Sequence, residues 1–156
     1  VLTSSVDPKS QKMVFGLNVL KIDRSLKPTI NSENTKILFV EDEDSVRAFG
    51  VRALKKKGFE VSACNCAENA LELLEKQEKF DMLITDMVMP GISGAELAKI
   101  VKKKLPEIKI ILASGYSEEI AKRELAGSDD FEFIAKPYSL GDLTQKVFDV
   151  LDKGQG

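Results

Sequence analysis

The chain has 156 residues, 43% hydrophobic and 31% charged, with 23 basic against 25 acidic side chains and a net charge of −2. That balance suits a soluble domain with its own core and excludes collagen-like, disordered and disulfide-framework classes. No basic surplus invites nucleic acid or an anionic membrane, and zero histidines remove histidine zinc sites, Ser-His-Asp and Cys-His catalysis, and any phosphohistidine on this chain itself.

Residues 1–35 hold five Lys/Arg against three Asp/Glu and mix Ser, Thr, Asn and two prolines around a weak apolar stretch from Met13 to Ile22. They read as a flexible linker or tail. The first residue is Val rather than Met, as expected of a piece of a longer chain, a processed product or a cloning choice. Residues 36–156 are the acidic part, with 18 basic against 22 acidic side chains. No apolar run approaches the ~20 residues that span a bilayer and no signal peptide opens the chain, so the expected location is the cytoplasm, without direct membrane contact.

From Lys36 onward short apolar runs alternate with amphipathic stretches of helix length, which predicts one domain over 36–153 built from βα units. The predicted strands are Ile37–Val40, Phe59–Ala63, Met82–Thr85, Ile110–Ala113 and Phe131–Ala135. The predicted helices cover about 44–57, 67–78, 94–105, 117–126 and 139–152. The first sets Val46, Phe49 and Ala53 on one face and stops at Lys57-Gly58, while the last carries Leu140, Leu143, Val147 and Leu151 at three- and four-residue spacing. Strict alternation implies an α/β fold, a doubly wound parallel sheet with helices on both faces. Cys64 and Cys66, two apart at a strand end, are too poorly placed to bridge and are expected to be reduced.

In such a sheet functional groups gather beyond the carboxyl ends of the strands. Strand one ends in Glu41-Asp42-Glu43-Asp44, strand three in Asp86-Met87-Val88-Met89-Pro90-Gly91, strand four in Ser114-Gly115 and strand five in Lys136-Pro137. Taken singly, the acidic run reads equally as a solvated helix N-terminus, Asp86 as a turn or cap residue, and the other two as turn signals. Taken together they converge three carboxylates, a hydroxyl and a lysine on one edge. Clustered carboxylates repel unless a cation neutralises them, and an all-oxygen set suits a hard ion such as Mg²⁺. Asp86 can then act as an ionised nucleophile towards phosphorus, with Ser114 and Lys136 placed to hold phosphoryl oxygens.

The stretches ILFVEDED, LITDMVMPGISG, IILASGYS and FEFIAKPYSL resemble the receiver domain of two-component response regulators over residues 36–152. The resemblance implies a flavodoxin-like (βα)5 sheet of strand order 2-1-3-4-5, with Asp86 as phosphoacceptor. Asp42 and Asp86 would hold Mg²⁺ (or Mn²⁺) with Glu41 and the main-chain carbonyl of Val88. Ser114 would be the switch hydroxyl, Lys136 the phosphoryl-binding lysine and Phe133 the aromatic that turns inward with the switch. Gly115 would leave room for the phosphoryl group, and Pro137 would follow a cis bond. Output is expected through the fourth helix, fifth strand and fifth helix. Two departures from the family pattern stand out: a Glu-Asp pair where Asp-Asp is usual, and Phe in place of a tyrosine whose hydroxyl could signal.

VEDEDSVRAFGVRALKKKGFEV, DMLITDMVMPGISG, ASGYSEE and AKPYSLGDLTQKV further resemble the C-terminal receiver of CckA-type cell-cycle hybrid histidine kinases. That implies a kinase core in the same parent chain, itself anchored in the inner membrane, and a separate histidine phosphotransferase as partner. The region would run its own phosphorylation and dephosphorylation without being a turnover enzyme, as a monomer. The alternatives are a stand-alone single-domain regulator and a pseudo-receiver that docks without being phosphorylated. A haloacid-dehalogenase-like phosphatase needs a second Asp two residues after the nucleophile, where Val88 stands, and no glycine-rich nucleotide motif is present.

Overall fold

The computed structural model describes residues 34–76, 79–125 and 130–155. Five strands alternate with five helices along them: β1 (Lys36–Val40), α1 (Asp44–Lys56), β2 (Glu60–Cys64), α2 (Ala67–Glu75), β3 (Met82–Asp86), α3 (Gly94–Lys104), β4 (Lys109–Ser114), α4 (Glu118–Glu124), β5 (Glu132–Ala135) and α5 (Leu140–Gln155). The expected linker at 1–35, save its last two residues, lies outside the described residues. So do the predicted ends of the second and fourth helices. No helix among the described residues is long and apolar enough to cross a membrane.

All strand pairs are parallel and the order is β2-β1-β3-β4-β5, the flavodoxin-like doubly wound sheet. The near-continuous apolar strands are explained by burial on both faces. Alternate side chains of one strand feed two cores. Leu38 and Val40 of β1 join Leu83, Ile110, Leu112 and Phe133 beneath α2, α3 and α4. Ile37 and Phe39 join Met82, Ile84, Ile111 and Ile134 beneath α1 and α5. Each side chain fully buried in this way contributes roughly 1.5–3 kcal/mol relative to exposure.

Local signals set the helix ends. Ser93 and Ser117 accept the main-chain N–H groups of Glu96 and Ile120, capping α3 and α4. Ser139 and Asp142 bond each other's main-chain N–H reciprocally at the start of α5. Helix α1 stops at Lys57, and Gly58 follows with φ of 97°, the left-handed conformation glycine tolerates.

The structure grades the burial along two of the predicted apolar faces. In α1 the buried side is Gly50, Ala53 and Leu54, while Val46 and Phe49 are only half-buried. The ring of Phe39 lies where a β-carbon on Gly50 would sit, 2.3 Å away, so the helix seats its glycine rather than a larger residue on the sheet. In α5, Leu140 is 46% exposed at the first residue of the helix, and Leu143, Val147 and Val150 form the buried stripe, with Leu151 packed at its margin.

Candidate functional site

Main-chain bonds continue the sheet past the strand ends and so set the loops side by side. The Glu41 N–H donates to the Cys64 carbonyl at 3.0 Å, the Met87 N–H to the Ala113 carbonyl at 2.8 Å, and the Lys136 N–H to the Ser114 carbonyl at 2.8 Å. The side chains predicted at four strand ends are thereby brought to one edge.

Carboxylate oxygens of Glu41, Asp42 and Asp86 lie within 4.8 Å of one another. The Lys136 ammonium donates to Asp86 Oδ2 at 3.0 Å and to Glu41 Oε1 at 3.4 Å. Glu41 Oε2 also accepts the Glu43 N–H at 3.1 Å, and Asp86 Oδ1 accepts the Val88 N–H at 3.4 Å. Glu41 is buried, Asp86 half-buried and Asp42 exposed. One ammonium against three carboxylates leaves two negative charges in a partly desolvated pocket, and every donor is oxygen, so the residues present fit a hard divalent ion.

Burial is the main influence on Glu41 and raises its carboxyl above the ordinary range, helped by the charge of Asp86; the Glu43 N–H and Lys136 oppose it without cancelling it. Burial works against the charge of Lys136, yet the hydrogen bond and charge of Asp86, followed by Glu41, carry its ammonium above the ordinary value. The Tyr138 phenol is pushed up to about 12, chiefly by burial and then by Glu41. For a carboxyl raised on folding, the folded state keeps a proton the unfolded chain has released, so stability falls as pH climbs from the ordinary Glu value through the raised one. Glu41→Gln should therefore raise the thermal midpoint of the metal-free protein at about pH 8, and the gain should vanish near pH 4, where glutamate is protonated anyway. A variant less stable at pH 8 would mean that the contact with Lys136 outweighs the burial of the charge.

The remaining predicted residues fall as follows. Ser114 is buried at 4% exposure, and its Oγ accepts the Tyr116 N–H at 2.9 Å, so the hydroxyl is engaged in its own turn. Phe133 is already inside, packed in the same core as Ala121 and Leu125. The Lys136–Pro137 bond is cis. A β-carbon on Gly115 would meet nothing within 4 Å, so the space beside it is open. Val88 turns its side chain to solvent at 65% exposure, in the loop that follows Asp86.

Sequence reasoning missed Gly94. A β-carbon there would lie 1.7 Å from the Asp86 carbonyl oxygen, because the first turn of α3 packs directly on the end of β3, and the Gly94 N–H donates to the Met87 carbonyl at 3.0 Å. The signal was present in the G-I-S-G spacing after Pro90. Also missed was an open cleft of about 470 Å³ flanking the site, lined by Val46, Phe49, Pro137 and Tyr138 with Glu43 and Lys136 at its polar side.

The response regulator receiver domain family matches residues 37–148, and the chain belongs to that family. It is 39% identical over 128 residues to the sensor kinase CckA of Brucella abortus, covering 81% of this chain and 14% of that protein. It is 33% identical over 112 residues to the response regulator receiver protein CpdR of Brucella abortus, covering 72% of this chain and 92% of that one. The crystal structure of the receiver domain from the hybrid histidine kinase CckA superposes with a TM-score of 0.62 at 35% identity, over 74% of this chain and 98% of that one.

Proposed function

We propose that this receiver accepts a phosphoryl group from a phosphohistidine onto Asp86, as the receiver of a hybrid sensor histidine kinase that passes it to a histidine phosphotransferase. The observation that carries the phosphoacceptor role is the Lys136 ammonium 3.0 Å from Asp86 Oδ2 at the open edge of the sheet. The absence of histidine means that the donor is another domain or chain. The hybrid parent is supported by the 39% identity to a sensor kinase of which this chain spans 14%.

A carboxylate oxygen of Asp86 bonds to phosphorus as the phosphohistidine N–P bond breaks, and the electron pair returns to the imidazole, which takes up a proton. Lys136 transfers a hydrogen bond from the carboxylate to a phosphoryl oxygen, acting as a point charge on a long stem. The Ser114 hydroxyl, which accepts the Tyr116 N–H, donates its own proton to a second phosphoryl oxygen. Asp42 and Asp86, with Glu41 and the Val88 carbonyl, would hold Mg²⁺ or Mn²⁺, which offsets the charge that phosphoryl and carboxylate oxygens bring together.

Lys136→Ala should retain a cooperative thermal transition yet lose most phosphoryl uptake, about a hundredfold or more in rate, as for removal of a single charge-stabilising donor. A variant that unfolds while its residual folded fraction is phosphorylated normally would make the lysine structural. The match to CpdR, 92% of whose length is covered, favours a second reading, a stand-alone regulator. Incubation with a purified phosphorylated histidine phosphotransferase and, separately, with a kinase core decides the partners. Rapid exchange in both directions with the phosphotransferase supports the hybrid relay. One-way uptake supports the stand-alone regulator. Refusal of both donors while acetyl phosphate is also refused would make the chain a docking module.

A further inference from the structure

We propose that Arg47 is a positioning residue for the divalent-ion site: its guanidinium holds the peptide unit between Glu41 and Asp42 and so aims the Asp42 carboxylate. The inference rests on the ion-binding reading above.

Arg47 stands in the first turn of α1, and its Nη1 reaches back to donate to the Glu41 carbonyl at 2.8 Å while Nη2 donates to Asp44 Oδ1 at 2.6 Å. Its own main-chain N–H donates to the Glu43 carbonyl at 2.9 Å. One residue therefore fastens both ends of the acidic loop 41–44. The loop needs it, because the N-cap of α1 is Glu43, whose side chain makes no capping bond, and because four consecutive carboxylates repel one another.

The two side-chain contacts are unequal. Asp44 is 89% exposed, and a pair that open to water holds little by itself. The Glu41 carbonyl belongs to a buried residue and would lose its partner without Arg47. That carbonyl also fixes the plane from which Asp42 departs. Among the described residues Asp42 has no side-chain hydrogen bond of its own, so its direction is set through the backbone. Groups that orient ligands in this way govern metal affinity without touching the ion.

The proposal has a sign that separates it from simple electrostatics. Arg47 is a cation beside a cation site, so removing its charge alone would tighten Mg²⁺ binding. Loss of a positioning contact would weaken it. The experiment titrates Mg²⁺ alone into the 156-residue chain, followed by amide chemical shifts, for the wild type, Arg47→Ala and Arg47→Lys, with the metal-free thermal midpoint measured in parallel. The expected result is a weakening of about tenfold in both variants, since lysine keeps the charge but cannot span the two partners. Unchanged or tighter binding in Arg47→Ala overturns the proposal, as does full restoration by Arg47→Lys. Should the alanine variant fail to fold, the lysine variant decides by the same criterion. A wild type that binds no Mg²⁺ overturns the ion-binding reading and this inference with it, whereas wild-type binding with indifferent variants overturns this inference alone.

Discussion

Asp86→Ala should abolish base- and hydroxylamine-labile phosphoryl uptake from acetyl phosphate and Mg²⁺, read as loss of the retarded band on a phosphate-affinity gel, while the chain stays folded. The carboxylate removed is the one that Lys136 and the Val88 N–H both address, at 3.0 and 3.4 Å. It is also the one placed by β3, between strands that carry Glu41 on one side and Ser114 on the other. Folding should survive because the Lys136 ammonium keeps Glu41 as a partner at 3.4 Å, and because removing one of three mutually repelling carboxylates offsets the lost contact. Phosphorylation of the variant at a rate comparable to the wild type would transfer the nucleophile to a neighbouring carboxylate, with Asp42 first in line.

Gly94→Ala has the second largest expected effect, on stability and activity together. The new methyl group would lie 1.7 Å from the Asp86 carbonyl oxygen and 3.0 Å from the Met87 α-carbon. Both are backbone atoms that cannot rotate aside, so either α3 lifts from the sheet or the end of β3 shifts. Overpacking of this kind costs about 1–3 kcal/mol, and the backbone character of the clash places Gly94→Ala at the upper end. A urea titration should show a lower midpoint with little change in slope. Since the displaced carbonyl belongs to Asp86, the proposed phosphoacceptor, phosphoryl uptake by the folded fraction should fall too. A variant with a wild-type midpoint would show that the helix moves freely, and that the close approach has no part in holding Asp86.

How much could be read from the residues follows from where the signals reside. Strand runs such as Ile37–Val40 are legible because burial on both faces leaves an unbroken apolar word, and the four chemical groups are legible because each stands one step past such a run. Spacing placed Val46, Phe49 and Ala53 on one face of α1 and Leu140 on the stripe of α5, but it could not say how deeply each is buried. Periodicity gives the spacing of an apolar stripe but not which side of it meets the sheet, and here Phe39 fills the place that a larger residue than Gly50 would need. Phe133 could be assigned to a strand, yet which core it joins, here the one that also holds Ala121 and Leu125, is decided only by tertiary packing. The Arg47 clamp was invisible because Arg in a helix turn has many solvent-facing fates, and only coordinates reveal that it returns to the Glu41 carbonyl.

The sheet register also governs how the protein comes into being. Paired residues are separated along the chain by between 21 positions, for Ile111 with Glu132, and 45, for Ile37 with Met82. Among the described residues there is no hairpin to nucleate on, so each strand pairing must close a long loop before it is rewarded. During synthesis β1 and β2 emerge first, but β1 lacks its second neighbour until Met82–Asp86 has followed. Lys136 arrives only with the last strand pairing. The side-chain set around Asp86 is therefore incomplete in every nascent or truncated form that stops short of Lys136, and such a form is expected neither to take up phosphate nor to compete for the donor.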